Sequence, residues 1–451
     1  MPVESSTSIL IAGAGPTGLT LAIDLARRNI PFRLIDAAPV PFAGSRAKGL
    51  QPRTLEVFED LGMIDAVLAA GAPYPRMRIH AGPFSLRGGS LGASLQPSEA
   101  IPYPNLWMVP QSQTEEILRD RLHELGGQVE FGTALISFTQ DQDSIHATLS
   151  SGDTIETQYL IGCDGARSVV RKTLGLHLIG ETIQEKSNQE KLHLVADLEI
   201  NGLDRNDWHI WPFVTGGPIG ICPLPGTNLF QLMASASVEP NLDAIIQRTT
   251  GLSLTRIAWS STYRLQARMV EHYQVGRVFL AGDAAHVHPP AGGQGLNTGV
   301  QDAYNLGWKL AWVLKGGPRE ILETYEAERL PIAAAVLGLT KRLALSRSLK
   351  RGDATNQLAL HYRSSVLSEG TPLGSLHPGD RMPDKKLTDG TRLFEQMRGP
   401  HATLVVTPDE KKILIRPDGY IASISSTGIT EYAGLPIYVA RADPAHSQAD
   451  Q

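Results

Sequence analysis

The chain has 451 residues, a length that suggests about three domains, or two large ones, and excludes a single small binding module. Apolar residues make up 42 % and charged residues only 19 %, while 44 glycines and 30 prolines are spread without a period; this fits a large buried core with many turns and excludes collagen-like, low-complexity and disordered chains. With 41 basic and 46 acidic residues the net charge is −5, which lacks the basic footprint of a nucleic-acid binder.

The N-terminal MPVESSTSIL has no basic segment before an apolar one, and the apolar stretch behind it is punctuated by Gly13, Gly15, Pro16, Gly18 and Asp24, so neither export nor a transmembrane segment is expected. In SILIAGAGPTGLTLAIDLARRNIPFRLIDAAP a short strand leads through glycine turns into a predicted helix from about Pro16 to Arg28 and a second strand ending at Asp36. Gly13 permits a tight turn, Gly15 lets a phosphate approach the backbone, and Gly18 lets helix and strand pack closely. The helix N-terminus then offers unpaired N–H groups to a pyrophosphate. Asp36, 23 residues after Gly13, is placed to accept hydrogen bonds from an adenosine ribose. Strand, turn, helix, strand and acid together predict a dinucleotide site.

RTLEVFEDLG and QSQTEEILRDRLHELGG are predicted helices that serve mainly in packing. Between them the glycine-, proline- and serine-rich segment from Met77 to Met108 reads as an excursion into another domain. VEFGTALISFTQ, SIHATLS and TIETQYLIGCDG predict a small meander returning to the main sheet. From Lys191 to Ala236 a second β-rich series marks a second domain. In its WHIWPFV run, His209, Trp211 and Phe213 share one face and Trp208 the other, and the sequence leaves open which face meets a ligand. After Val270 an apolar strand delivers Asp283 to a loop rich in proline and glycine, followed by a long, largely buried helix starting near Asn297 or Thr298 and running through Leu314. A further helix is expected in REILETYEAERLPIAAAVLGLTKRLAL. The tail offers two strand candidates, HATLVVT and KKILIRPDGYIASI, and ADPAHSQADQ reads as an exposed end.

Cys163 and Cys222, the two cysteines, form neither a CxxC pair nor a ligand cluster, so both are expected to be buried and structural, and a reducing cytoplasm is the expected location. His286 and His288 lack third and fourth ligands, so no metal site is assigned.

Three separated motifs, GAGPTG with Asp36, CDGARSVVRKTLG and GDAAHVHPPAGGQGLN, together resemble the FAD-dependent aromatic hydroxylase family, the group A flavoprotein monooxygenases, over about residues 8 to 370. The resemblance implies an α/β fold: a discontinuous Rossmann-like FAD-binding domain (1–76, 108–180 and 270–370) with an inserted β-rich substrate domain (181–269, joined by the excursion 77–107). HPGDRMPD and LIRPDGYIA resemble in part the thioredoxin-like C-terminal domain of phenol and polyketide hydroxylases, here a short domain at 371–451 without a redox dithiol.

Within that resemblance Asp164, Gly165 and Arg167 correspond to the motif near the FAD pyrophosphate, and Asp283 to the contact with the ribityl chain. Pro290, Gly293 and Gly295 belong to the loop beside the isoalloxazine, with backbone N–H groups of Leu296 and Asn297 at its pyrimidine edge. Arg46 and Gln111 match positions close to FAD, and Arg268 one that supports the cofactor or the domain contact. Two departures stand out: AAP follows Asp36 in place of a basic continuation, and Ala291 replaces a frequent threonine.

The implied activity is that of an oxidoreductase in which NADPH or NADH reduces FAD, dioxygen gives a flavin C4a-hydroperoxide, and an aromatic small molecule is hydroxylated. A flavin oxidase or dehydrogenase, and a non-catalytic flavin-binding protein, stay open as alternatives. So do the phenol-deprotonating residue, the ring hydroxylated, the nicotinamide preference, and the choice between monomer and homodimer.

Overall fold

The computed structural model describes residues 4–91, 94–182, 192–214, 217–236, 241–346, 352–426 and 435–442. The expected exposed end lies almost wholly outside the described residues.

The opening βαβ unit forms as its sequence dictates. Strand Glu4–Ala12 pairs in parallel with Phe32–Asp36 on one side and Thr154–Gly162 on the other. Helix Pro16–Ala26 starts at a proline, whose missing N–H would have had no partner in the first turn anyway. Val129–Phe131 and Val278–Leu280 extend the parallel part of this eight-stranded sheet, and the antiparallel strands Leu135–Gln140 and Ile145–Leu149 branch from it as the expected meander. Strands between residues 4 and 280 thus build one sheet, and buried residues as late as Ala333 complete its core. The long helix Gly295–Leu314 crosses that core, buried on nearly all sides, and begins two residues earlier than the sequence suggested.

A second sheet of seven strands runs in the order Leu254–Tyr263, Leu192–Ile200, Phe230–Ala236, Ile219–Pro223, Asp207–Trp211, Arg76–Ala81, Phe84–Arg87. Its last two strands come from the glycine-rich stretch near Met77, more than a hundred residues upstream of their partner. Strand alternation divides the sheet into two faces. Ala196, Leu198, Ile221 and Leu232 point to a core closed by Leu242 and Ile246 of helix Leu242–Thr250. His209 pairs with Ile221 and so lies on that face. There it stacks with Trp211 and is hydrogen-bonded to His80 at 2.9 Å, whereas Phe213 lies beyond the strand end and is 86 % exposed.

The opposite face carries Trp259, Asp197, Gln231, Cys222 and Trp208. Asp197 pairs with both Trp259 and Gln231, Gln231 with Cys222, and Cys222 packs with Trp208. This row faces the first domain.

The tail forms a five-stranded mixed sheet. The candidate KKILIRPDGYIASI splits into two antiparallel strands, Lys412–Ile415 and Ile421–Ser425, because Pro417, Asp418 and Gly419 make a turn in its middle. Buried ion pairs join this unit to the first domain: Arg416 spans both oxygens of Glu328 at 2.6 and 2.9 Å, and Glu328 also takes the Lys309 ammonium at 2.7 Å. Arg381 clasps Glu56 in the same way.

Candidate active site

The glycine turn is set by close contacts. Gly13 has φ +104°, and a Cβ there would lie 2.4 Å from the Cys163 carbonyl oxygen; one on Gly18 would lie 1.9 Å from the oxygen of Gly13. Any side chain at either position would break the turn against the sheet. Gly15 differs: a Cβ there meets nothing within 4 Å, because it faces open space at the N-terminus of helix Pro16–Ala26, which no side chain caps. The free N–H groups of that end therefore point into a cleft. Asp36 fixes the turn from the neighbouring strand, accepting the Ala14 N–H at 2.7 Å through one oxygen and the Ala38 N–H at 2.8 Å through the other.

Asp164 caps the short helix Val169–Thr173 through the N–H groups of Val169 and Val170, and its second oxygen is buried without a partner. Gly165 takes φ +73° in the same turn. Arg167 is exposed. The arginine that ties this turn inward is Arg171, which donates to Ala166 at 2.8 Å and to Ala284 at 3.0 Å. The sequence offered both arginines four residues apart; only the second follows the buried face of the helix.

Asp283 sits in the turn Gly282–Ala284. Its side chain is open to water, yet it stands amid enough protein that burial raises its carboxyl, against the pull of His286 and Arg46. An accessible acid in dense surroundings marks the floor of a cleft. The turn is braced from behind by Asp302, which accepts from Gly282 N at 3.1 Å, His286 Nε2 at 2.7 Å and Arg329 Nε at 2.7 Å. Burial alone would raise Asp302, but Arg329 and His286 hold it below the usual carboxylate range. This makes His286 a bracing residue. His288 is directed to the Pro289 carbonyl and is pushed down to about 4 mainly by burial, so it is neutral, with Nε2 buried and unpartnered.

Pro290 accepts the Gly293 N–H in the next turn, where Gly293 has φ +62°. Asn297 then ties two loops together: Oδ1 accepts from Gln51 N at 2.8 Å, and Nδ2 donates to Gly49 and Gly293 at 2.9 and 2.8 Å. The helix begins at Gly295 without a side-chain cap, which leaves the first N–H groups, those of Gly295, Leu296 and Asn297, for a ligand.

Arg46 lies on the segment between these parts, exposed, 5.5 Å from the Phe42 ring and 5.9 Å from that of Trp259. Its segment is held from two sides. Gln111 accepts the Ala47 N–H at 3.1 Å. From the second sheet Gln231 donates to the Ser45 carbonyl and accepts from Lys48 Nζ at 2.7 Å, and the Lys48 ammonium lies 4.9 Å over the Trp208 ring. Asp197, beside Gln231, is 1 % exposed, and neither of its oxygens has a hydrogen bond of ordinary geometry. Burial lifts its carboxyl to about 6 against the pull of Ser45 and Lys48. Arg268, on strand Gln266–Met269, donates to Thr182 at 2.9 Å on the neighbouring strand Ile179–Thr182 of a separate three-stranded sheet.

The sequence did not single out Gln231, Asp197, Lys48, Asp302 or Arg171. Each has at least one partner 27 or more positions away in the chain.

Two uncapped helix ends, an accessible acid at the cleft floor and an exposed arginine beside it fit a dinucleotide with a ring system at its far end. Residues 6–340 match the family described as FAD binding domain. A flavin-dependent monooxygenase of Mycobacteroides abscessus is 42 % identical over 94 % of this chain and 98 % of its own length. The chain belongs to the flavin-dependent monooxygenases. The 6-methylpretetramide 4-monooxygenase of Streptomyces rimosus is 36 % identical over 84 % of this chain and 74 % of its own length. Among solved structures, the flavin-dependent monooxygenase PieE, in complex with FAD and substrate, shares the fold with a TM-score of 0.81 and 24 % identity, over 94 % of this chain and 97 % of that one. Among the described residues of the monooxygenase no helix is long and apolar enough to cross a membrane.

Proposed function

We infer that the chain hydroxylates a phenolic, polyketide or related aromatic small molecule with dioxygen, taking electrons from NADPH or NADH. The observation that carries this reading is the seven-stranded sheet turning an aromatic and polar row, from Trp259 to Trp208, toward the segment that bears Arg46. Next to that row an open cavity of about 570 Å³ is lined by apolar Met108, Pro223 and Leu224 and by polar Arg205, Thr227 and Asn228, space enough for a ring system that carries polar substituents. The relative named for its action on 6-methylpretetramide supports a small organic molecule as substrate.

FAD, when bound, supplies hydride acceptance and dioxygen activation. The chain's residues supply the rest. The turn from Gly13 to Gly18 and the helix end behind it would receive the pyrophosphate, with Arg46 as its cation; Asp283 would orient the ribityl hydroxyls; and the N–H groups at Gly295 to Asn297 would favour negative charge on the ring's pyrimidine edge. Trp208, Met108, Leu91 and Cys222 form a dry apolar cluster that keeps water from this side. Domain boundaries at about 76, 107, 180, 269 and 370 follow from the same reading. The tail then takes a thioredoxin-like form without redox cysteines and serves in packing. Both cysteines are free and buried, which suits a reducing compartment such as the cytoplasm.

The test is a screen of aromatic compounds for stimulated nicotinamide oxidation, with product mass measured in labelled dioxygen. One labelled oxygen atom in the product supports hydroxylation. Flavin reduction with peroxide as the sole oxygen product supports an oxidase, and a chain that binds FAD without turnover supports a flavin-binding protein.

A further inference from the structure

Glu115 lies one turn into helix Gln111–Glu124 and is 3 % exposed. It accepts a hydrogen bond from Gln111 Nε2 at 2.9 Å, and Arg119 Nη1, one turn further on, stands 4.0 Å away with no hydrogen bond of its own. The other end of the Gln111 amide holds Ala47, next to Arg46. Asp36 is also within electrostatic reach, and its carboxylate holds the glycine turn at Ala14. Glu115 therefore occupies the junction of the three pieces that receive a pyrophosphate: the glycine turn, the Arg46 segment and the helix that anchors it. Nothing in the proposed mechanism uses it.

We propose that Glu115 belongs to the flavin-nucleotide site and holds a proton when FAD is bound, so that FAD binding takes up one proton from solvent.

Burial is the main influence on this carboxyl and has lifted it to about 7; Asp36 adds to the rise, while Gln111, Arg119 and Arg46 oppose it. A pyrophosphate brings two further negative charges to the turn that Asp36 holds, and it engages Arg46, one of the groups that keep Glu115 ionised. Both changes favour the protonated form. Charges on the other packed elements do not compensate. Asp24, the one charged residue of helix Pro16–Ala26, is committed to Arg27 and Arg28, and Asp65 on helix Ile64–Ala70 points to solvent. A neutral Glu115 also changes from pure acceptor to donor, which suits an oxygen-rich ligand.

The inference rests on the cleft being the FAD site, and the experiment separates the two. The flavin-stripped full chain is titrated with FAD by calorimetry in two buffers of different ionisation enthalpy, at about pH 6 and about pH 8. Uptake close to one proton is expected at the higher pH and little at the lower, with Kd rising about tenfold per pH unit above 7. Asp283 shares the cleft, so Glu115→Gln decides the assignment. This variant copies the shape of the protonated acid, and it should bind FAD tightly at both pH values with the proton uptake and the slope gone. Glu115→Ala, which lacks the donor, should bind more weakly at both pH values and also without slope. Unchanged uptake in Glu115→Gln, or a pH-independent Kd in the wild type, overturns the inference while FAD binding stands. Absence of FAD binding by the wild type at either pH overturns the cofactor reading as well.

Discussion

Arg171 donates to the carbonyl of Ala284 across 113 positions of the chain, joining the turn after Gly165 to the turn that carries Asp283. Burial lowers its pKa, and its second hydrogen bond also ends on a carbonyl, that of Ala166. Two segments that the sequence presents as separate motifs are thus one rigid unit. Arg171→Ala should cost about 2–3 kcal/mol of stability through two lost charge-assisted hydrogen bonds, and lower FAD affinity by about tenfold. Arg167→Ala, at an exposed site, should change stability by less than about 0.5 kcal/mol. Urea denaturation of the flavin-stripped chain measures the first quantity and flavin fluorescence titration the second. If Arg167→Ala weakens FAD binding while leaving stability alone, Arg167 is a phosphate partner.

What the sequence shows of the site is its backbone chemistry. Gly13 and Gly18 are legible because a positive φ at Gly13 and approaches of 2.4 and 1.9 Å to where a Cβ would stand are demands that one residue type meets. Asp36 is legible by spacing, although its carboxylate holds N–H groups of the protein's own turn. The facing row of the second sheet is not legible, because the register of Asp197 with Gln231 and Trp259 depends on strands 34 and 62 residues away. The same holds for His209: strand alternation separates it from Trp208, but only the pairing with Ile221 assigns it to the face of the sheet's own core. Arg171 and Asp302 were hidden for a related reason: Arg171 meets only backbone carbonyls, and Asp302 meets His286, Arg329 and the Gly282 N–H from a helix whose facing the sequence does not fix.

Asp197 predicts a pH-dependent gain on substitution. Its folded pKa of about 6 exceeds the ordinary 3.8, so between those values the folded chain holds a proton that the unfolded chain gives up. The resulting penalty is absent below about pH 4 and complete above about pH 6. Asp197→Asn removes it and should stabilise the flavin-stripped chain by about 2–3 kcal/mol at pH 8 and by almost nothing at pH 4. Denaturant midpoints at the two pH values give the comparison. Equal gains at both would show that the effect is one of packing.

Gln231 links the second sheet to the Arg46 segment. Gln231→Leu keeps most of the volume but removes the donor to Ser45 and the acceptor for the Lys48 ammonium, leaving a buried cation short of a partner. A loss of about 2–4 kcal/mol is expected. Limited trypsin digestion should then cut after Arg46 and Lys48 sooner than in the wild type, and mass spectrometry of the fragments reads this directly. Unaltered digestion would mean that Gln111 alone holds the segment.

Arg416 and Glu328 carry the last prediction, because they decide whether the tail is an independent unit. Both are almost fully buried, and among the described residues Lys309 and Asp418 are the other charges paired with them. Burial by itself would raise Glu328, but Arg416 and Lys309 hold it far below the usual range. Arg416→Met strands Asp418 and weakens the hold on Glu328, and a cost of about 3–5 kcal/mol is expected. Adding Asp418→Asn should return part of that cost, since the stranded carboxylate is then gone, whereas Glu328 keeps the Lys309 ammonium. The pH dependence follows from the sign of the shift: the depressed carboxyl contributes stability that is complete above about pH 4.5 and is lost as pH falls further, so Glu328→Gln should flatten the acid limb of the stability curve. If Arg416→Met melts the tail alone while the flavin-binding part keeps its transition, the two parts fold separately; a single shifted transition by calorimetry shows that the ion pairs make them one cooperative body.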